Sequence, residues 1–178
     1  MRYASIRSMD ISNGEGVGVA LFVQGCHFHC KDCFNPETWD FAGGKEWTQE
    51  VEDKFIGLVA KPYVVRVSLL GGEPLADENV FEVMRLTNKI KELYPEKKIW
   101  CYTGYRYEQI FPVVDEILFG DQRYFYRKLT VENCDVLVDG RFDTNLKDLG
   151  LKFRGSSNQR IIDVPMTKIA GSIIECQY

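Results

Sequence analysis

Apolar residues along the chain alternate between short continuous runs and helix-like spacing. The short runs, bounded by turn residues, predict buried strands at 17–23, 64–70, 98–102 and 136–138. Between them, apolar residues recur at helical spacing and predict helices over 48–60, from 77 to about 94, and over 107–118, where Pro112 bends or interrupts the helix. This alternation predicts one α/β domain spanning residues 1–178, with mostly parallel strands and crossover helices.

Three cysteines follow the first of these strands. Cys26, Cys30 and Cys33 form a CxxxCxxC pattern that brings three thiolates to one site and leaves a fourth position open. A structural zinc site needs four protein ligands, and a ferredoxin cluster usually takes four cysteines. The triplet therefore favours an iron-sulfur cluster with one iron open to a ligand.

The second strand ends in Gly71-Gly72-Glu73-Pro74. The carboxyl ends of parallel strands meet at one edge of a sheet, so this segment is expected to lie beside the cysteine loop and reach the same ligand. Glycines without side chains permit close approach, and Glu73 offers a negative acceptor for a cationic amino group.

Composition limits the classes of protein to which the chain could belong. With 45% apolar and 13% aromatic residues among 178, it can bury one core. It has no run of about 18 apolar residues and no apolar stretch at its N-terminus typical of a signal peptide. Its net charge is -4, without a block of Lys or Arg. We therefore expect a cytoplasmic protein that binds neither membrane nor nucleic acid directly.

The remaining cysteines and the histidines have simpler interpretations. Cys101, Cys134 and Cys176 are isolated along the chain, and a reducing compartment would keep them as free thiols. The first two lie in apolar, strand-like contexts and are expected to be buried, and no ligand role is expected for Cys176. His27 and His29 make a zinc site chemically possible, but neighbours of ligands in a tight loop usually point elsewhere.

The cysteine triplet and the GGEP segment together resemble the radical S-adenosylmethionine (SAM) superfamily. Further segments narrow the resemblance to the activating proteins of anaerobic ribonucleoside-triphosphate reductase. These segments are Asp10-Ile11-Ser12-Asn13-Gly14-Glu15-Gly16, Thr103-Gly104-Tyr105, Val138-Asp139-Gly140-Arg141-Phe142 and the stretch from Arg154 to Val164 that begins RGSSNQR. They occur in the expected order over nearly the whole chain.

The resemblance implies a fold and a set of cofactor ligands. The fold is a pared-down partial (β/α) barrel of the radical-SAM type. Cys26, Cys30 and Cys33 would hold a 4Fe-4S cluster whose open iron binds SAM. The residues expected near SAM are Asp32, Cys33, Phe34, Gly71, Gly72, Glu73 and Pro74. In the wider superfamily an aromatic residue often precedes the last cysteine of the triplet. Here Asp32 precedes Cys33, and the aromatic residue, Phe34, follows it.

The resemblance also implies a reaction. One electron, from a flavodoxin-like donor, would cleave SAM to methionine and a 5′-deoxyadenosyl radical. This radical would take hydrogen from a glycine of the large reductase subunit and leave a stored glycyl radical. No amino-acid base is needed, so no catalytic residue is expected beyond the cluster and SAM.

Some alternatives stay open on the sequence. The chain could be another radical-SAM enzyme, activating a different glycyl-radical enzyme or acting on a small molecule, or a non-catalytic iron-sulfur or zinc module. Asp139 and Arg141 could line the SAM pocket, but a surface turn around Gly140 is the favoured interpretation. The segment 154–160 could contact SAM, cap a strand or dock the reductase, and docking is the expectation adopted.

Overall fold

A computed structural model describes residues 1–112 and 122–178 of the chain. Their strands form one sheet in the order β3-β1-β2-β4-β5-β6-β7. The strands are β1 (Arg2–Asp10), β2 (Gly18–Val23), β3 (Lys45–Glu46), β4 (Arg66–Gly71), β5 (Lys98–Tyr102), β6 (Val136–Asp139) and β7 (Arg160–Asp163).

The four central strands β2, β4, β5 and β6 run parallel, in agreement with the sequence prediction. Antiparallel strands lie at both sides of them: β1 pairs with β2 and β3, and β7 pairs with β6. The sequence did not predict these three strands. The structure is a mixed α/β fold whose predicted strands form its centre.

The described residues form five α-helices. They are α1 (Gln49–Val59), α2 (Val80–Leu93), α3 (Tyr107–Ile110), α4 (Gln122–Glu132) and α5 (Val164–Ala170). The predicted start of α1 is confirmed, because the Thr48 side chain accepts a hydrogen bond from the Val51 amide. Helix α3 ends before Pro112, and the predicted helical residues from 113 onward lie outside the described part.

Helix α2 begins at Val80, three residues later than the sequence predicted from Asp77. The side chain of the preceding residue, Asn79, does not cap the helix. It donates instead to the backbone oxygens of Gln24 at 2.9 Å and Glu73 at 3.0 Å. The start of the helix is thereby tied to the two loops that carry the predicted site.

The two faces of the sheet are packed differently. Alternate side chains of the central strands, such as Val67 and Leu69, point to the face covered by the helices and join the main core with Phe55 and Leu86. The other face carries Ala20, Phe22, Leu70, Trp100, Val136 and Val138, packed in two smaller clusters. No helix in the described residues is long and apolar enough to cross a membrane.

Candidate functional site

A cavity of about 490 Å³ opens at the carboxyl ends of the central strands. This volume is typical of a site for a small molecule or cofactor. Its lining includes all three cysteines of the triplet together with Gly71, Gly72 and Glu73. The predicted meeting of the two loops at one edge of the sheet is therefore found.

The cysteine loop leaves β2 through a tightly packed turn. Gly25 has a φ of 97°, and a side chain there would clash with the Phe41 ring, at 2.0 Å from its nearest atom. The amides of Gly25 and Cys26 donate to the carbonyls of Thr38 and Trp39 at 2.7 and 3.0 Å. These contacts fix the direction in which the loop enters the cavity.

Within the loop, the three thiols are free and half-buried. Burial raises the pKa of Cys26 to about 11, although the Phe28 and His29 amides oppose this shift, and burial also raises the pKa of Cys30. Asn35 donates its amide hydrogen to Cys33 Sγ at 3.4 Å. The thiols of Cys26 and Cys30 are thus neutral without a metal, whereas bound iron would deprotonate its thiol ligands outright.

The described residues contain no group of three or more His, Cys, Asp or Glu side chains that could hold a single metal ion. The three thiols line one cavity without converging on one point. A cluster of four irons is several ångströms across, so its ligands surround it from separate directions. The donor set, three thiols around an open cavity, fits such a cluster.

The GGEP segment continues the path of β4 directly against the cysteine loop. The Gly72 amide donates to Val23 O at 2.9 Å, and the Glu73 amide donates to Gly25 O at 2.8 Å. A Cβ on Gly72 would lie 2.4 Å from the Gly25 oxygen. Gly71 has a φ of 101°, and a Cβ there would lie 2.7 Å from the Phe22 Cα atom. Larger residues would therefore push the two loops apart.

Glu73 is buried at the wall of this cavity, with only 2% of its surface exposed. Its carboxylate accepts hydrogen bonds from the Leu75 amide at 2.9 Å, the Thr103 hydroxyl at 2.8 Å and the Gly104 amide at 2.8 Å. Burial nevertheless raises the pKa of Glu73 to about 7. A cationic ligand would favour its ionised form. The Thr103-Gly104 pair, which the sequence indicated only through the family resemblance, thus supports this carboxylate.

The expected SAM neighbours divide into two groups. Cys33 and Phe34 line the cavity together with the glycines and Glu73. Asp32 and Pro74 are not part of the lining. Asp32 has a left-handed backbone, with a φ of 57°, and its exposed carboxylate accepts a hydrogen bond from Thr144 Oγ1 at 2.8 Å. Pro74, which follows Glu73 in the sequence, is buried.

Several other lining residues were not assigned a site role from the sequence. They are Arg7, Ser12, Asn13, Phe22, Phe28, Asn35, Trp39, Leu70, Tyr102, Leu151 and Phe153. Phe28 lies between the first two cysteines, a position that could have signalled its role. Asn35 and Leu70 are likewise next to the predicted segments, because Asn35 follows Cys33 by two residues and Leu70 precedes Gly71. Others, such as Arg7, Tyr102 and Phe153, come from distant segments, and only the folded sheet brings them to this cavity.

The segment that follows β6 is part of the site wall. Gly140, Arg141 and Phe142 line the cavity. For Arg141 this agrees with the interpretation that it lines the pocket. The favoured surface turn is wrong for Asp139, which is fully buried because it forms an ion pair with Arg160 and accepts a hydrogen bond from the Tyr107 amide. Gly140 itself does turn, with a φ of 94°.

The segment 154–160 has mainly internal contacts. Arg154, Gly155 and Gln159 line the cavity. Asn158 donates its side-chain amide to the Arg141 oxygen at 2.9 Å. Arg160 donates to both carboxylate oxygens of Glu108 at 2.8 Å, and this pairing lowers the pKa of Glu108 to about 2. These contacts tie the segment to the cavity wall and to α3, and its expected role in docking the reductase stays a prediction.

The three cysteines outside the triplet are also free thiols. Cys101 and Cys134 are buried in the main core, as predicted. Cys176 is half-buried and packs against the small apolar group of Trp100, Val136, Val138 and Ile161. It does not line the cavity.

Comparison with known proteins agrees with this geometry. A sequence model of the family described as "4Fe-4S single cluster domain" matches residues 12–162. The chain is 38% identical over 161 residues to an anaerobic ribonucleoside-triphosphate reductase-activating protein of Salmonella typhi, covering 89% of this chain and 96% of the relative. A protein of the same name from Vibrio cholerae is 36% identical, over 90% of this chain and 97% of its own length. Another, from Enterobacteria phage T4, is 35% identical, over 90% of this chain and 93% of its own length. The chain belongs to the family of anaerobic ribonucleoside-triphosphate reductase-activating proteins.

Proposed function

We propose that this protein is a radical-SAM enzyme that generates the glycyl radical of an anaerobic ribonucleoside-triphosphate reductase. It does so through reductive cleavage of SAM at a 4Fe-4S cluster. Cys26, Cys30 and Cys33 hold the cluster in this proposal, and its fourth iron is left to SAM. The large reductase subunit is the partner, as the names of the relatives suggest.

One observation carries the proposal: the three thiols and the GGEP backbone line the same cavity. Three protein ligands leave one iron of a cubane open, and the ligand for that iron must enter through the cavity. The cavity volume of about 490 Å³ suits a cofactor together with a small molecule.

Glu73 and the two glycines are the proposed binding site for the amino-acid end of SAM. Three donors hold the carboxylate of Glu73 at one place in the cavity wall, where a cationic amino group would find a negative acceptor. Gly71 and Gly72 leave room for that group to approach the backbone. Cys33 and Phe34 would lie beside the bound molecule, because both line the same cavity.

The chemistry that the bound cluster supplies is one-electron transfer to SAM, which releases methionine and a radical able to abstract hydrogen. The chain's own residues bind, orient and shield. Phe22, Leu70, Tyr102 and Phe153 give the cavity an apolar wall that limits water. The walls thereby favour reaction with the partner's glycine over reaction with solvent.

We infer three finer features from the same arrangement. The parallel strands and the cavity at their carboxyl ends are compatible with a pared-down partial (β/α) barrel of the radical-SAM type. A flavodoxin-like protein is the proposed electron donor, since the reaction needs a one-electron reductant. The six free thiols suit a reducing compartment such as the cytoplasm.

The experiment is anaerobic reconstitution with iron and sulfide, followed by reduction with dithionite in the presence of SAM. The expected result is about four irons per chain and release of 5′-deoxyadenosine and methionine. Cys30→Ala should lose the cluster, whereas Cys134→Ala, a matched change of a cysteine outside the cavity, should keep it. Equal iron loss in both variants, or stoichiometric zinc without iron, would contradict the three-cysteine assignment.

Glu73→Ala tests the SAM site separately. The variant should bind SAM more weakly while its iron content stays near that of the wild type, because Glu73 is not a proposed cluster ligand. Leu93→Ala, on an exposed position of α2, is the control and should change neither quantity. Unchanged SAM affinity in Glu73→Ala, measured by titration, would refute the proposed contact.

A further inference from the structure

Two different parts of the chain meet at the cysteine loop. The loop itself supplies one donor, the Asn35 amide, which lies 3.4 Å from Cys33 Sγ. The segment that follows β6 supplies Gly140, Arg141 and Phe142, which line the same cavity as the three cysteines. A remote segment is therefore packed against the cysteine loop.

The same remote segment brings a cation to the cysteine loop. The guanidinium carbon of Arg141 lies 4.4 Å from the centre of the Phe28 ring, inside the cysteine loop. Phe28 and Arg141 both line the cavity with Cys30. The positive charge is thus placed beside the site by an aromatic ring of the loop.

Hydrogen bonds to the backbone of residues 140 and 141 hold Arg141 in this position. The Arg141 oxygen accepts from the Asn158 side chain at 2.9 Å, and the Gly140 oxygen accepts from Gln159 at 3.0 Å. The next ring, Phe142, packs on Phe34 with centroids 5.0 Å apart. In the described part of the chain, no carboxylate pairs with Arg141 within 4.0 Å, so its charge is not neutralised there.

We propose that Arg141 sets the reduction potential of the iron-sulfur cluster through its positive charge beside the cysteine loop. The inference rests on the proposed function, since it requires a cluster at the triplet. Charge and hydrogen bonds near the sulfurs are among the factors that determine cluster potentials. A positive charge stabilises the more negative, reduced cluster and therefore makes the first electron easier to accept. Arg141 acts here through the cluster and is a positioning and tuning residue.

The test is a redox titration of the reconstituted protein without SAM, followed by electron paramagnetic resonance of the reduced cluster. Arg141→Gln keeps much of the side-chain length and removes the charge. Its midpoint potential should be lower than that of the wild type, by up to the 59 mV that corresponds to a tenfold change in a one-electron equilibrium. Arg141→Lys, which retains the charge, should recover most of the difference.

Lys147→Gln is the matched control. Lys147 lies over the ring of Phe34, another aromatic of the same loop, at 5.1 Å, but it does not line the cavity. Its midpoint should equal that of the wild type. An unchanged midpoint in Arg141→Gln, or an equal shift in Lys147→Gln, would overturn the inference. Failure of both Arg141 variants to hold iron would also overturn it, because the residue would then only support the loop. Failure of the wild type to bind iron would instead refute the proposed function.

Discussion

Arg66 provides the sharpest test of how the site is supported. It is fully buried on the face of β4 opposite the helices, and its guanidinium pairs with Asp10, whose Oδ1 lies 3.1 Å from Nη2. The remaining donors bind backbone oxygens of the loop between β1 and β2, including Asn13 O at 2.6 Å and Glu15 O at 3.1 Å. A Cβ on Gly14, whose φ is 127°, would lie 2.6 Å from Arg66 Cδ. The loop is therefore wrapped around one charged side chain.

Arg66→Ala should be strongly destabilising. The change removes the buried cation beside the Asp10 carboxylate, which keeps only the Asn13 hydrogen bonds and the Arg7 guanidinium at 3.8 Å, and it leaves several carbonyl oxygens without donors. Breaking a buried ion pair from one side costs about 3–5 kcal/mol of unfolding free energy. For a chain of this length, each kcal/mol corresponds to roughly 2–4 °C in the melting temperature, so we expect a decrease of roughly 6–20 °C.

The assay is thermal and urea denaturation of the cluster-free protein, followed by circular dichroism. Lys54→Ala is the control, because Lys54 forms an exposed pair with Glu50 on α1 and its loss should leave the transition unchanged. Ser12 and Asn13 of the wrapped loop line the cavity, so reconstituted Arg66→Ala should also bind SAM more weakly. A melting temperature within about 2 °C of the wild type would refute this account of Arg66.

Three further predictions follow from burial and charge. The pKa of Glu73 is raised from 4.5 to about 7, so the folded protein binds its proton more tightly than the unfolded chain does. The unfolding free energy of the cluster-free protein should therefore fall, by about 3 kcal/mol, as pH rises from about 4.5 to about 7. Urea titrations should find that Glu73→Gln flattens this dependence, and an unchanged slope would contradict it. Phe55→Ala, at a fully buried position of α1, should cost about 3–5 kcal/mol in the same assay, and a cost below about 1 kcal/mol would contradict the packing described for the main core. Cys101→Ala should leave iron content unchanged in a colorimetric assay, because Cys101 lies in the core on the helix-covered face; iron loss would contradict this.

The centre of the fold could be predicted because its signals are local. The apolar run of β4 and the glycines that end it predict both a buried strand and a loop at its carboxyl end. The cysteine spacing predicts three thiols at one site. The structure agrees on both points, with the thiols and Gly72 lining one cavity.

The edges of the sheet could not be predicted in the same way, because their stability depends on distant partners. β1 has an irregular burial pattern and shifts in its pairing with β2, so its sequence lacks strand alternation. Arg66 interrupts an apolar run, and its burial depends on Asp10, 56 residues away, and on backbone oxygens of the loop after β1. Arg160 likewise belongs to an ion-pair network with Glu108 and Asp139. Such pairs have no signature in either segment alone.

The most direct test of the proposed function is the appearance of a glycyl radical in the partner. The reconstituted protein, SAM and a reductant are mixed anaerobically with the large subunit of the anaerobic reductase from the same organism, and the mixture is frozen for electron paramagnetic resonance. We expect the doublet of a glycyl radical with the wild type and none with Cys30→Ala. A wild-type protein that carries its cluster and cleaves SAM but yields no doublet, or a Cys30→Ala variant that yields the same doublet, would contradict the account.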